Sequence, residues 1–231
     1  MVSNFKAKRT ALRDIPFNGF VMRERFILDR CHGRRVLHLG CIGFQDFPVE
    51  ERIRRFKDQL HWKLMGCADV TGVDYSEEAV SSVREHLGNN EVICLDVESE
   101  LGALLKQRHF DVIVAGDIIE HLSNPGAFLG ELIPCGARTE VLLTTLNAFG
   151  LKLALRNLLG IVDDSHEHSY LFSPLVMYNL LRRYGFQHLE FYGGMQETVI
   201  RHTWIGAKLA AVVFRMAPRL AGTLCIVAKQ G

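Results

Sequence analysis

The stretch Arg35-Val36-Leu37-His38-Leu39-Gly40-Cys41-Ile42-Gly43 is a short, mostly apolar run that stops on glycine. A run of this length without polar alternation fits a strand covered on both faces. Glycine just past its end lets a ligand approach the backbone where a Cβ would stand in the way. The pattern recurs at Asp69–Val73, Glu91–Leu95, Asp111–Ala115 and Val141–Thr145, with gaps long enough for helices. In one gap Ser76 is placed to cap a helix over Glu77–Leu87 that Gly88 ends. In another, Val49, Ile53, Phe56, Leu60 and Leu64 recur at helical spacing behind Pro48, so one helix is predicted over Pro48–Met65. Alternating strands and helices of this kind build a doubly wound, mostly parallel α/β sheet. Past Thr145 the order changes. Helices near Leu151–Leu159 and Pro174–Tyr184 precede strands near His188–Tyr192 and Thr223–Ala228, expected to pair antiparallel at the sheet edge.

Composition sets the outer bounds. The chain has 231 residues and is 48% hydrophobic, apolar enough to offset its ordering entropy by burial, which excludes disorder as the main state. No repeat or low-complexity linker divides it, so residues 1–231 are expected to form a single domain, with 1–32 an amino-terminal helical segment and 146–175 an insertion. With 27 basic against 26 acidic side chains the balance does not favour a nucleic-acid partner. Six cysteines lie apart from one another, without the short spacings of a zinc site, and are expected to be reduced. The first thirteen residues are polar and basic, and no apolar run reaches 18 residues, which points to the cytoplasm.

The ends of the central runs carry the chemistry. Asp74 closes Thr71-Gly72-Val73-Asp74-Tyr75, where a carboxylate can accept hydrogen bonds from a ribose diol. Asp96 closes Ile93-Cys94-Leu95-Asp96-Val97, and Gly116-Asp117-Ile118-Ile119-Glu120-His121-Leu122-Ser123-Asn124-Pro125 follows the fourth run. Successive strand ends bearing glycine or acid mark the carboxyl edge of a doubly wound sheet, the edge at which ligands bind.

In order and content these segments resemble the class I S-adenosylmethionine-dependent methyltransferases, and most closely the branch of quinone-biosynthesis and glycan-tailoring O-methyltransferases. The resemblance spans roughly residues 33–193. It implies a Rossmann-like seven-stranded sheet with the last strand antiparallel and a helical insertion before the sixth strand that builds the acceptor pocket. It also implies S-adenosylmethionine as cofactor and S-adenosylhomocysteine as product. Carried over residue by residue, Gly40, Cys41 and Gly43 would surround the methionine moiety, Asp74 would meet the ribose, Asp96 the adenine, and Asp117 the pocket wall; Tyr75 and Val97 would sandwich the adenine, with simple packing as the alternative for both. The chain departs from the family at His38, where an acid is usual, and at Ile42, where glycine is usual. Gly40 and Asp74 also stand farther apart than the ordinary separation of about 20 residues, and the 48–65 helix accounts for the excess.

Methyl transfer from a sulfonium is an in-line displacement, and a hydroxyl acceptor must also lose its proton as the bond forms, commonly to histidine. His121, just past a pocket-edge strand, and His166 and His168, in the insertion, are the candidate catalytic residues. A supporting role in the loop is the alternative for His121, and a lid role for His168. His32, His86, His109, His188 and His202 read as solvated or capping, and His61, on the added helix, has no assigned role. Asp117, Glu120 and His121 with His166 or His168 also supply ligand types that bind a divalent metal, in a pattern similar to that of the small-RNA 2'-O-methyltransferases; a metal is not favoured. Residues 198–231 hold no acid but five cations, Arg201, Lys208, Arg215, Arg219 and Lys229, among apolar residues. A core-packing helix is the preferred reading there, with membrane-surface or lipid-linked-substrate contact through 201–219 as the alternative. The expected function is S-adenosylmethionine-dependent O-methylation of a small molecule, a sugar, phenol or carboxylate of a biosynthetic pathway. The alternatives are a metal-dependent RNA 2'-O-methyltransferase and a non-catalytic partner that keeps the fold.

Overall fold

The computed structural model describes residues 14–43, 47–88, 91–161, 168–197 and 204–231. From the amino end the chain runs β1 (Phe17–Met22), α1 (Arg23–Cys31), β2 (Arg35–Leu39), α2 (Val49–Phe56), α3 (Leu60–Met65), β3 (Asp69–Asp74), α4 (Glu77–Leu87), β4 (Val92–Cys94) and α5 (Leu101–Gln107). It continues through β5 (Val112–Gly116), α6 (Pro125–Glu131), β6 (Glu140–Leu146), α7 (Leu151–Leu158), α8 (Pro174–Arg183), β7 (Phe186–Met195), α9 (Trp204–Met216) and β8 (Thr223–Gln230). The strands form one sheet in the order β1-β7-β8-β6-β5-β2-β3-β4.

The apolar runs are the parallel centre of that sheet. After their first residues β2 and β3 are buried throughout. Successive side chains of a strand point to opposite faces. Leu37 and Leu39 therefore join one core with Phe128 of α6 and with Met177 and Leu181 of α8, while Val36 joins Ile27 of α1 and Leu64 of α3 on the other face. Local signals hold at the helix ends. Ser76 accepts a hydrogen bond from the Ala79 amide, and Gly88 ends α4 in the left-handed conformation, φ 62°. At the opposite rim from the ligand edge, Glu140 of β6 is buried beneath Arg30 and Arg34, with Lys229 3.7 Å away.

Three features differ from the sequence expectation. The sheet has eight strands rather than seven, because Phe17–Met22 adds β1, parallel to β7. The described part of the amino-terminal segment is thus a strand followed by a helix, not helix alone. As expected, the last strand is antiparallel: β8 pairs with β7, and through β8 the pair joins β6, the outer strand of the parallel centre. The 48–65 helix is two helices, since Asp58 and Gln59 close tight turns onto the Arg55 and Phe56 carbonyls and Gln59 is extended (φ −81°, ψ 166°). Among the described residues no helix is long and apolar enough to cross a membrane.

Candidate active site at the carboxyl edge of the sheet

The chain leaves β2 towards β3 on one side, while β5 pairs with β2 on the other. That reversal opens a crevice at the carboxyl ends of β2 and β5, the usual ligand site of such sheets. Gly40 turns the chain there with φ 63°, and a Cβ on it would stand 3.2 Å from Ile118 Cδ1, so the glycine turn and the loop after β5 face each other closely. The turn is braced from beneath. Cys41 N donates to the Val73 carbonyl (3.1 Å), Ile42 N to Asp74 Oδ2 (2.8 Å), and Gly43 N to Gln59 Oε1 (3.3 Å). Asp74 Oδ1 also accepts from Ser76 N (3.3 Å). Burial raises the Asp74 pKa, against the backbone N–H donors that favour its ionised form. A backbone cradle that a side chain would fill, with a carboxylate fixed beside it, fits a methionine and ribose moiety.

The other sequence-derived residues fall into place unevenly. The Cys41 thiol is buried, and a Cβ on Gly72 would stand 2.7 Å from its sulfur; only the backbone of Cys41 belongs to the turn. Tyr75 is 73% exposed, whereas Val97 is packed in the core. Asp96 is exposed and caps its own turn, accepting from Glu98 N (2.8 Å) and Ser99 Oγ (2.9 Å). Asp117 adopts φ 52°, unusual for a residue with a side chain. Its carboxylate accepts from Thr144 Oγ1 (2.8 Å) and pairs at 3.0 Å with Arg23 of α1, a partner no sequence motif points to.

His38 has a partner from the added helices. It lies on the sheet face covered by α3, and its Nδ1 is 3.2 Å from Nδ1 of the fully buried His61, with the rings stacked 5.4 Å apart. Burial, the neighbouring imidazole and Arg23 push the His38 pKa well below its ordinary value, and burial alone lowers His61 to about 4. Both rings are therefore neutral near pH 7. The acid usual at this position is replaced by an uncharged pair, and Gln59 from the turn before α3 reaches the glycine loop instead.

On the far side of the crevice, Glu120 and His121 follow β5 and meet His168. One ligand atom from each lies within 4.8 Å of the others, and the two imidazole rings are 4.7 Å apart, edge to face. Ser169 N and Tyr170 N donate to the Glu120 carbonyl at 2.8 and 3.2 Å, and Tyr170 Oη donates to the Ser123 carbonyl at 3.1 Å, which pins the insertion to this loop. Glu120 is buried, and its Oε2 has no hydrogen-bond partner among the described residues. Burial first, and Asp117 second, raise its pKa. His166 lies outside the described residues. The sequence pattern groups Glu120 with Asp117, but Asp117 is engaged by Thr144 and Arg23 and is not part of this cluster.

Comparison with known proteins identifies the family and the fold. Residues 54–190, more than half of the chain, match the family model described as a methyltransferase domain. Two ubiquinone biosynthesis O-methyltransferases from Neisseria meningitidis are similar. The one from serogroup A is 31% identical over 106 residues, which is 44% of this chain and 38% of that protein. The one from serogroup C is 30% identical over 102 residues, 42% and 37%. The match thus spans well under half the length of these curated relatives. Among solved structures, an S-adenosylmethionine-dependent methyltransferase from Archaeoglobus fulgidus superposes with a TM-score of 0.53 at 16% identity, covering 90% of this chain and 94% of the other. Another from Thermotoga maritima gives 0.58 at 12% identity, covering 92% and 90%. At such identities these two speak for the fold alone. The crevice, its glycine cradle and the matched family model lead to one assignment: the chain belongs to the methyltransferase-domain family, as a class I methyltransferase with S-adenosylmethionine as its cofactor.

Proposed function

We propose that the protein transfers the methyl group of S-adenosylmethionine to an oxygen of a small-molecule acceptor, a sugar, phenol or carboxylate. The observation that carries this reading is the pairing of His121 with His168 across the crevice from the Gly40 turn. S-adenosylmethionine supplies an electrophilic methyl on sulfur. The Gly40–Gly43 turn would hold its methionine moiety, Asp74 its ribose, and Asp96, with Tyr75 and Val97, its adenine. That methyl would pass to the acceptor oxygen by in-line displacement, the O–C bond forming as the C–S bond breaks and S-adenosylhomocysteine leaving as the neutral thioether. For a hydroxyl acceptor the proton passes to a nitrogen of His121 or His168; a carboxylate acceptor has none to lose. Alignment and exclusion of water supply the rest of the acceleration. The curated relatives' designation as O-methyltransferases supports oxygen as the acceptor atom.

A second reading of the same cluster is favoured by the orphaned Glu120 Oε2. Glu120, His121 and His168 are carboxylate and imidazole ligands of the kind that hold a divalent cation, which would polarise an acceptor hydroxyl. The test begins with calorimetric titration of S-adenosylhomocysteine, followed by transfer of labelled methyl to a panel of phenols, sugars and carboxylates. Activity that survives chelation assigns the proton to histidine; activity abolished by chelation and restored by magnesium or manganese assigns the cluster to a metal. A folded protein that does not bind S-adenosylhomocysteine refutes both and leaves a non-catalytic member of the fold.

A further inference from the structure

The Gly40–Gly43 turn keeps its own backbone donors occupied. Cys41 N is taken by the Val73 carbonyl, Ile42 N by Asp74 Oδ2 and Gly43 N by Gln59 Oε1, so none of these amides is left for a ligand carboxylate. Gln59 itself is different. It stands extended between α2 and α3, and because Gly43 N must face an oxygen, the side-chain amide is oriented with Oε1 towards that bond and Nε2 away from it. Nε2 is buried and has no hydrogen-bond partner among the described residues. A Cβ on Gly43 would stand 3.3 Å from it, so the glycine leaves the amide nitrogen open beside the cradle. A buried donor without an acceptor is costly, and a ligand that supplies one removes the cost.

The ammonium of a methionine moiety is less well served by the same turn. His38 stands where an acid is usual; it is buried against His61, and burial, that imidazole and Arg23 hold its pKa well below the ordinary value, so it carries no charge near pH 7. Asp74 turns both oxygens to backbone amides, and Asp117 is paired with Arg23 at 3.0 Å. We propose that Gln59 Nε2 donates to the carboxylate of the cofactor's methionine moiety, so that this chain recognises that end of S-adenosylmethionine by its carboxylate rather than by its ammonium. The α2–α3 segment then has a task in the site. Gln59 and His61 lie two residues apart in it, one supplying the donor and the other the ring that closes off the place of the acid. Such recognition rests on the methionine moiety lying at the turn, as proposed above, and on no particular acceptor.

The test is calorimetric titration of the full chain with S-adenosylhomocysteine and two analogues, one with hydrogen in place of the α-carboxylate and one with hydrogen in place of the α-ammonium. The decarboxylated analogue should bind at least about tenfold more weakly than S-adenosylhomocysteine, and the deaminated one within about threefold of it. Gln59→Glu keeps an oxygen for Gly43 N and exchanges the free donor for a second acceptor. In that variant, shown to be folded by its thermal melt, S-adenosylhomocysteine should bind about tenfold more weakly or worse, while the decarboxylated analogue binds as well as to the wild type or better. Equal losses for both ligands, or none, would mean that Gln59 only braces the turn, and would overturn the proposal. So would a wild type that loses more affinity with the ammonium removed than with the carboxylate removed, a comparison that needs no variant. A folded wild type that does not bind S-adenosylhomocysteine at all refutes the cofactor site itself, and the role of Gln59 with it.

Discussion

Acidification should loosen this protein through one buried ring, and the size of the effect can be worked out. His61 is fully buried against His38, its Nδ1 3.2 Å from the other Nδ1, and its Nε2 has no hydrogen-bond partner among the described residues. Two neutral imidazoles share such a contact through one proton; a second makes one ring an imidazolium, buried under the glycine turn with two N–H groups facing each other. Burial holds the folded pKa of His61 at about 4, against an ordinary 6.5. Between those values the unfolded chain binds more protons than the folded one, so stability falls as pH falls through the window, is intact above it, and levels off below it. At pH 5 the cost through His61 alone is about 2 kcal/mol, from about 1.5 pH units at 1.36 kcal/mol each. His38 adds in the same direction. Asp74 and Glu120, with raised pKa values, act oppositely: their effect is a loss of stability as pH rises through their windows. A comparison with His61→Leu separates these. Urea unfolding at about pH 7.5 and about pH 5, followed by the fluorescence of nearby Trp62, should show the wild type losing about 2 kcal/mol more than the variant over that interval. Equal losses in the two proteins would refute the buried neutral pair as an acid-sensitive element.

Other perturbations have direct readouts. Asp74→Ala removes the acceptor for Ile42 N and the ribose carboxylate together; S-adenosylhomocysteine should bind at least about tenfold more weakly in calorimetry, about 1.4 kcal/mol, and urea melts should fall by about 1–3 kcal/mol. If a hydroxyl acceptor is identified, His121→Ala and His168→Ala should bracket the base: loss of the operating imidazole lowers kcat about a hundredfold or more and leaves cofactor binding intact, as the two assays together will read. Glu140→Ala withdraws the buried partner of Arg30 and Arg34 and should cost about 2 kcal/mol in urea. Although its burial opposes ionisation, the hydrogen bonds from Arg34 and Arg30 hold Glu140 below the usual carboxylate range, so that contribution should vanish as pH falls through its folded pKa. Gly193→Ala would place a Cβ 2.0 Å from the Pro218 carbonyl oxygen, a backbone atom, and should destabilise by about 3 kcal/mol on thermal or urea melts.

The parts of the fold legible in the sequence are those whose cause is local. Strands β2, β3, β5 and β6 are covered on both faces, so their burial is written as uninterrupted apolar runs, and the Ser76 and Gly88 ends of α4 rest on chemistry within one helical turn. Strand β1 is different. Phe17-Asn18-Gly19-Phe20-Val21-Met22 has an irregular pattern and a glycine at φ 131°, and it becomes a strand by pairing with β7, far along the chain. The break between α2 and α3 escaped for a related reason. Phe56, Leu60 and Leu64 keep helical spacing through it, while the polar Lys57-Asp58-Gln59 turn that interrupts the helix bears no glycine or proline.

The same division runs through the site. Its acids and glycines could be found because each stands at the end of a legible strand, but what each side chain touches depends on elements brought from elsewhere. The motif points to Asp74 as a ribose ligand; in the fold its carboxylate first secures the backbone of the turn at Ile42, so ligand binding and loop geometry cannot be separated by deleting it. The motif places Asp117 at the pocket wall, but its neighbours come from segments distant in the chain. Arg23 follows the one strand whose pairing the sequence left unannounced, and it reaches Asp117 because β1 and α1 pack at that end of the sheet. The guanidinium also donates to Thr144 Oγ1, which in turn donates to Asp117, so three elements converge on a residue held at φ 52°. A left-handed backbone at a non-glycine residue persists only where its surroundings over-determine it. Here the surroundings are a salt bridge and a threonine at the crevice wall, which ties the position of that wall to the seating of the extra strand.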